Sequence, residues 1–197
     1  MLKKLASYIK DYKKDTILTP IFVILEVIME VIIPLLMARI IDVGIQNGDV
    51  HYILEMGALL IVSAILSLTF GMLSGRFAAK ASSGYAKNLR KAMFHKVQDY
   101  SFENIDKFST SSLVTRMTTD VTNVQMAFQM IIRILVRGPI MMIFALIMVM
   151  TISFKLSVIF LVAIPVLGAI LFFIAIKAHP NFERVFKKYD KLNRVVQ

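Results

Sequence analysis

The chain is 197 residues long, with a mean hydropathy of +0.71, a net charge of +10 and no cysteine. Disulfides and thiolate metal sites are therefore excluded, and so apolar a composition argues against nucleic acid as the partner of the basic residues. The three histidines, His51, His95 and His179, are scattered without ligand spacing, so no metal site is expected.

Four apolar stretches, at about 17–38, 53–73, 134–152 and 156–176, are nearly free of Lys and Arg. Each has the length a helix needs to cross a hydrocarbon core of about 30 Å, and helices are the natural form because lipid offers no partner to backbone groups. The N-terminus is basic and then apolar, as in a signal peptide, but its apolar run is too long for one; a retained anchor is expected. All the Lys and Arg residues except Arg39 and Lys155 fall before the first stretch, in or beside the segment between the second and third (Arg76 to Arg137), or after the fourth. The positive-inside tendency makes those sides cytoplasmic. The expectation is a multi-pass protein of the cell membrane, with its N-terminus in the cytoplasm.

The outer connections are short and the inner one, about 76–133, is long, Pro-free and rich in helix formers. The second span is expected to continue as one helix from about 53 to about 100, roughly 70 Å long at 1.5 Å per residue. A third helix should return from about 113 to 152, and the polar segment 101–112 should form a crosswise tip. Such an arm has the reach to touch a cytoplasmic partner. Past the fourth span, Phe182, Val185, Tyr189, Leu192 and Val196 keep a helical rhythm with no stop signal. The expectation is a sequence cut within a helix as a second arm begins.

Polar residues inside the spans are few. Glu26 and Glu30 stand one turn apart on one face of the first span. Intramembrane carboxylates face a bundle interior or a water-filled path. The pair is either a contact for cationic or polar cargo or a structural partner of basic residues on another helix. Pro34 should favour a kink nearby. Gln125, Gln129, Arg133 and Arg137 form a polar stripe running to the membrane edge. Arg133 and Arg137 could line a cavity, pair with acidic groups or snorkel to headgroups. Ser63, Ser67, Gly71, Gly75, Ala79 and Ser83 form a small-residue ladder suited to close helix packing. The 13 methionines are ordinary packing residues or an adaptable cargo surface.

Three places carry a family likeness: Pro34 with Ala38-Arg39-Ile40-Ile41-Asp42; Ile105-Asp106-Lys107-Phe108-Ser109-Thr110-Ser111-Ser112-Leu113-Val114-Thr115-Arg116 followed by Asp120 and Val121; and Ser153-Phe154-Lys155-Leu156-Ser157 before a span bearing Pro165. Together with the topology, these resemble the N-terminal part of the membrane domain of type I ABC exporters of drugs, lipids or peptides. The family's second motif reads close to F-D-x-x-S-T-G-x-L-x-S-R-x-x-x-D, with Ser111 here in place of Gly and Ile105 in place of Phe.

The resemblance implies an all-α fold of long helices, with residues 1–197 supplying about four of six spans in a truncated transmembrane domain. It makes Phe108, Ser109, Thr110, Ser111, Ser112, Leu113 and Val114 a coupling helix that docks on a nucleotide-binding domain. It also implies a second transporter subunit, as homo- or heterodimer, and a shared translocation pathway. ATP and Mg would bind in the nucleotide-binding domain, outside this chain. No G-x-x-x-x-G-K-[ST] loop occurs here, so no catalytic, cofactor-binding or metal residue is assigned. By residue pattern alone, 109–114 could equally be a polar turn capped by Ser and Thr. The alternative function is a non-transporting membrane scaffold whose arm binds another partner; a four-span channel leaves the arm unexplained.

Overall fold

The computed structural model describes residues 5–100 and 110–196, with side chains at 5–100, 111–155, 157–174 and 176–177. Every described element is helical. Among the described residues four helices are long and apolar enough to cross a membrane: α1, Ser7–Ile45; α2, Val50–Gln98; α3, Ser111–Ile152; and α4, Phe154–Val196, whose apolar part is Ser157–Ile174. Residues Met1–Phe144 form one compact unit and Ala145–Gln197 a second.

Helix α1 opens with a 3-10 turn, Ser7–Tyr12, in which Lys10 takes φ +39°. That conformation is unfavourable for a residue with a Cβ, and contacts on either side hold it. Asn88 Nδ2 donates to the Tyr8 carbonyl at 2.9 Å. Tyr8 and Ile9 pack on a buried cluster of Tyr85, Ala86, Leu89 and Val121, and the ring of Tyr12 lies over Gly84, where a Cβ would strike it. Gly84→Val should therefore push Tyr12 aside and free the turn at a cost of about 1–3 kcal/mol. Hydrogen exchange of residues 7–12 should rise in the variant; an unchanged exchange profile would show that the turn is held without Tyr12.

The α-helical body of α1, Lys13–Arg39, continues through Pro20 and Pro34, and the irregular turn comes later, as a π-helical end at Ile40–Ile45. Proline removes a single backbone donor, and membrane helices tolerate that loss. The first outer connection is tight. Gly48, at φ +69°, sits in the left-handed region open to glycine. Asp49 then caps α2 by accepting from the Tyr52 backbone N–H at 3.0 Å. The short outer connection is mostly helix.

Helix α2 is 49 residues of uninterrupted α-helix, about 73 Å at 1.5 Å per residue. It has the length anticipated for a span plus an arm. Helix α3 starts in the turn Thr110–Thr115 and contains two π-helical turns, Arg116–Asp120 and Ile131–Leu135. The second ends four residues before Pro139, which has no N–H to give the Leu135 carbonyl. A widened turn ahead of the proline absorbs that missing bond. In the second unit, Ser153 alone separates the last turn of α3 from α4, and its N–H still reaches the Val149 carbonyl at 2.9 Å.

Helices α1 and α2 pack along each other, with the Phe22 ring stacked on Phe77 at 5.4 Å and near Phe70 at 6.2 Å. The fully buried positions are small or β-branched: Thr19, Val23 and Val27 on α1, and Ser74, Ala78, Ala81 and Ser82 on α2. This corrects the small-residue ladder. Ala79 and Ser83 are exposed, and the tight face of α2 lies one position away, on Ser74, Ala78, Ala81 and Ser82. A helix turns about 100° per residue, so two neighbouring small-residue rows cannot be told apart without the partner helix. In the arm, Tyr85 stacks on Phe128 of α3 at 4.6 Å. Burial, with Tyr8 close by, pushes the Tyr85 phenol above its ordinary pKa. Ala78, Ala81 and Ile132 form a second buried cluster that joins α2 to α3.

Candidate functional site: a charged cluster between three helices

Three charged residues of the spans converge. Glu26 and Glu30, one turn apart on α1, both face Arg137 on α3. Arg137 donates Nη1 to Glu26 Oε1 at 3.0 Å and Nη2 to Glu30 Oε1 at 2.6 Å. A planar guanidinium carries two donors in a fixed fork, so one arginine can hold two carboxylates. Helix α2 completes the enclosure. Ser74 Oγ donates to Glu26 Oε2 at 3.4 Å. A Cβ at Gly71 would stand 3.1 Å from Glu26 Oε1. The glycine thus makes room for the carboxylate, which is a more specific task than helix packing. The Glu26 side chain is 9% exposed and that of Glu30 29%, so Glu26 is the member that depends most on its partners.

Arg133, one turn before Arg137, has a different environment. It makes no hydrogen bond or ion pair with any described residue. Its Nη1 lies 3.6 Å from where a Gly75 Cβ would be, so Gly75 opens the space the guanidinium occupies. A cavity of about 600 Å³ is lined by Glu26, Glu30, Ser67, Gly71 and Arg133. A second, of about 380 Å³, is lined by Met126, Gln129, Met130, Arg133, Ile134 and Arg137. Arg133 borders both.

The polar stripe on α3 changes partners along the helix. Gln125 Nε2 donates to Ser83 Oγ at 3.3 Å, and Gln129 Oε1 accepts from Ser82 Oγ at 3.3 Å. Both glutamines bridge to α2, and Gln129 also lines the smaller cavity with the two arginines. An ion pair that the sequence did not flag lies at the base of α1. Lys80 Nζ is 3.1 Å from Asp15 Oδ1, and the Asp15 side chain is 9% exposed. The signal was available as an acid, Asp15, inside a basic stretch at the very edge of a span. Ser74 was missed because it sits beside the glycine ladder and not in it.

Of the tip residues, Phe108 and Ser109 lie outside the described residues, and Thr110 is described in backbone only. Ser111, Ser112, Leu113 and Val114 form the first turn of α3, with Ser111 exposed, Ser112 and Leu113 half-buried and Val114 56% exposed. Their side chains are therefore on an accessible helical end, separate from the cluster at Glu26. Among the described residues no group of His, Cys, Asp and Glu could hold a metal.

These features define a helical membrane protein with a charged cavity between its spans and a long helical arm. Residues 16–197 match the ABC transporter transmembrane region, and the chain belongs to that family. It is 33% identical, over its whole length, to the uncharacterized ABC transporter ATP-binding protein YfiB of Bacillus subtilis, covering 34% of that protein. It is 26% identical over its whole length to an uncharacterized ABC transporter ATP-binding protein of Mycobacterium tuberculosis, again covering 34%. The ATP-dependent lipid A-core flippase of Pseudoalteromonas translucida is 28% identical over 171 residues, which are 85% of this chain and 29% of the flippase. The chain thus spans about a third of the length of the relatives it matches.

Proposed function

We propose that this chain is the membrane part of an ATP-driven exporter of type I, working by alternating access in the cell membrane with its N-terminus in the cytoplasm. Residues 1–197 supply about four of six spans. The cavities at Glu26, Glu30, Arg133 and Arg137 form part of the translocation path, completed by a second subunit. ATP and Mg act in a nucleotide-binding domain outside this chain, either in the remainder of the same protein or in a partner. The observation that carries this reading is the arm. Helices α2 and α3 are 49 and 42 residues long, far beyond what their apolar spans require, and they run together to an accessible end at Ser111–Val114. The pair links the tip to the cavity, since α3 carries both Ser111–Val114 and the arginines that border it. The names of the relatives, which speak of ATP binding and of an ATP-dependent flippase, support the same reading.

The test is contact at the tip. A cysteine at Ser111, in the full transporter, should crosslink to a cysteine on the surface of the nucleotide-binding domain, and ATP should change the yield. A control cysteine at the exposed residue Leu59 should not crosslink, since it lies in the apolar part of α2. Equal, ATP-insensitive yields at both positions would favour the scaffold reading.

A further inference from the structure

We propose that Arg133 is the anion-recognising group of a site that takes an amphiphile with an anionic headgroup and an apolar tail. This deepens the transporter reading and rests on it. Two membrane carboxylates by themselves suggest a site for cations. In the structure, however, Arg137 engages both Glu26 and Glu30. A cationic guest would have to displace a guanidinium held by two carboxylates. What the cluster leaves over is donors. A guanidinium carries five N–H groups; Arg137 spends two on the glutamates, and Arg133 spends none on any described residue. Arg133 is half-buried on the wall shared by the two cavities, where a charge interacts more strongly than in water. Phosphate and carboxylate groups match the planar fork of its donors.

The tail has its own place. Next to Arg133, an apolar groove of about 350 Å³ is lined by Met130, Ile131, Ile134, Leu135, Gly138 and Pro139. Met130 and Ile134 line both this groove and the smaller cavity that Arg133 borders, so the two adjoin. Gly138 has open space around it where a Cβ would be. Head and tail sites are therefore within one turn of helix, as a single amphiphile requires. Unbranched methionines at Met126 and Met130 adapt to chains of different shape.

The test measures binding to the full transporter in phosphatidylcholine nanodiscs. Three probes are used: dodecyl phosphate, dodecyltrimethylammonium and inorganic phosphate. Dodecyl phosphate should bind the wild type at least about tenfold more tightly than the cation of equal tail length, a comparison that needs no variant. Arg133→Gln should weaken dodecyl phosphate about tenfold or more, as loss of a charged hydrogen-bond donor implies. Arg133→Lys should fall between, since it keeps the charge and loses the fork. Inorganic phosphate should compete poorly because it lacks the tail. Phosphatidylglycerol added to the disc then separates the sources: competition by it identifies a bilayer lipid as the ligand, and its absence a soluble amphiphile. Equal binding of the two dodecyl probes, unchanged affinity in Arg133→Gln, or inorganic phosphate competing as well as dodecyl phosphate would overturn the proposal. Any of these in a protein that still crosslinks at Ser111 and transports with ATP would leave the transporter reading standing. Loss of crosslinking with anion selectivity intact would do the reverse.

Discussion

Arg137→Gln should destabilise the membrane bundle by about 1–3 kcal/mol: Glu26 is buried, which raises the cost of losing its partner, while Arg137 is 40% exposed and Glu30 29%, which lowers it. Glu26 is almost fully enclosed, and without Arg137 its only described side-chain donor is Ser74 at 3.4 Å. Glu30, one turn along, would add like-charge repulsion. The companion variant carries Gln at positions 26, 30 and 137 together. It removes the charges on both sides with little change of shape, and most of the stability should return. Thermal unfolding of the purified transporter in detergent reads both. A triple variant as unstable as the sum of its single changes would mean that the three residues are not coupled, contrary to the geometry.

Leu113→Asp should reduce ATP-driven transport about tenfold or more while ATP hydrolysis continues. Burying a leucine on docking is worth about 1.5–3 kcal/mol, and a charge in its place adds a desolvation cost. The same substitution is mild for the helix itself. Residue 113 lies in the opening turn of α3, where an acidic side chain is favourable to the helix dipole. Loss of transport would therefore report a lost contact and not a lost fold. Phe108→Asp, chosen from the family resemblance, is the paired variant. Transport and hydrolysis measured side by side in proteoliposomes decide the matter, and normal transport in both variants would remove the tip from the coupling path.

The small-residue faces show where reading from sequence stops. Gly71 and Gly75 were legible as a place of close approach, and close approach is what occurs. The approaching groups, however, are the Glu26 carboxylate and the Arg133 guanidinium, not the backbone of a neighbouring helix. The glutamate pair was likewise legible as an interior feature, with cargo contact and structural pairing both open. The pairing with Arg137 spans 111 and 107 residues of chain, and no periodicity within one helix can select among partners so distant.

The sequence by itself determined the class, the four apolar helices, the long arm and the family resemblance. Those properties are local: hydrophobic length, helix propensity and basic flanks act within tens of residues, and lipid enforces helices wherever the backbone would lack partners. Only the tertiary structure decided which charges meet. Arg133 and Arg137 are the same residue type, one turn apart, on the same helix, and nothing in the sequence distinguishes them. The crossing of α1, α2 and α3 places Arg137 between two carboxylates and Arg133 against a glycine and two cavities. Ion pairing requires contact within about 4 Å, and that distance is set by how helices pack, not by the order in which their residues are written.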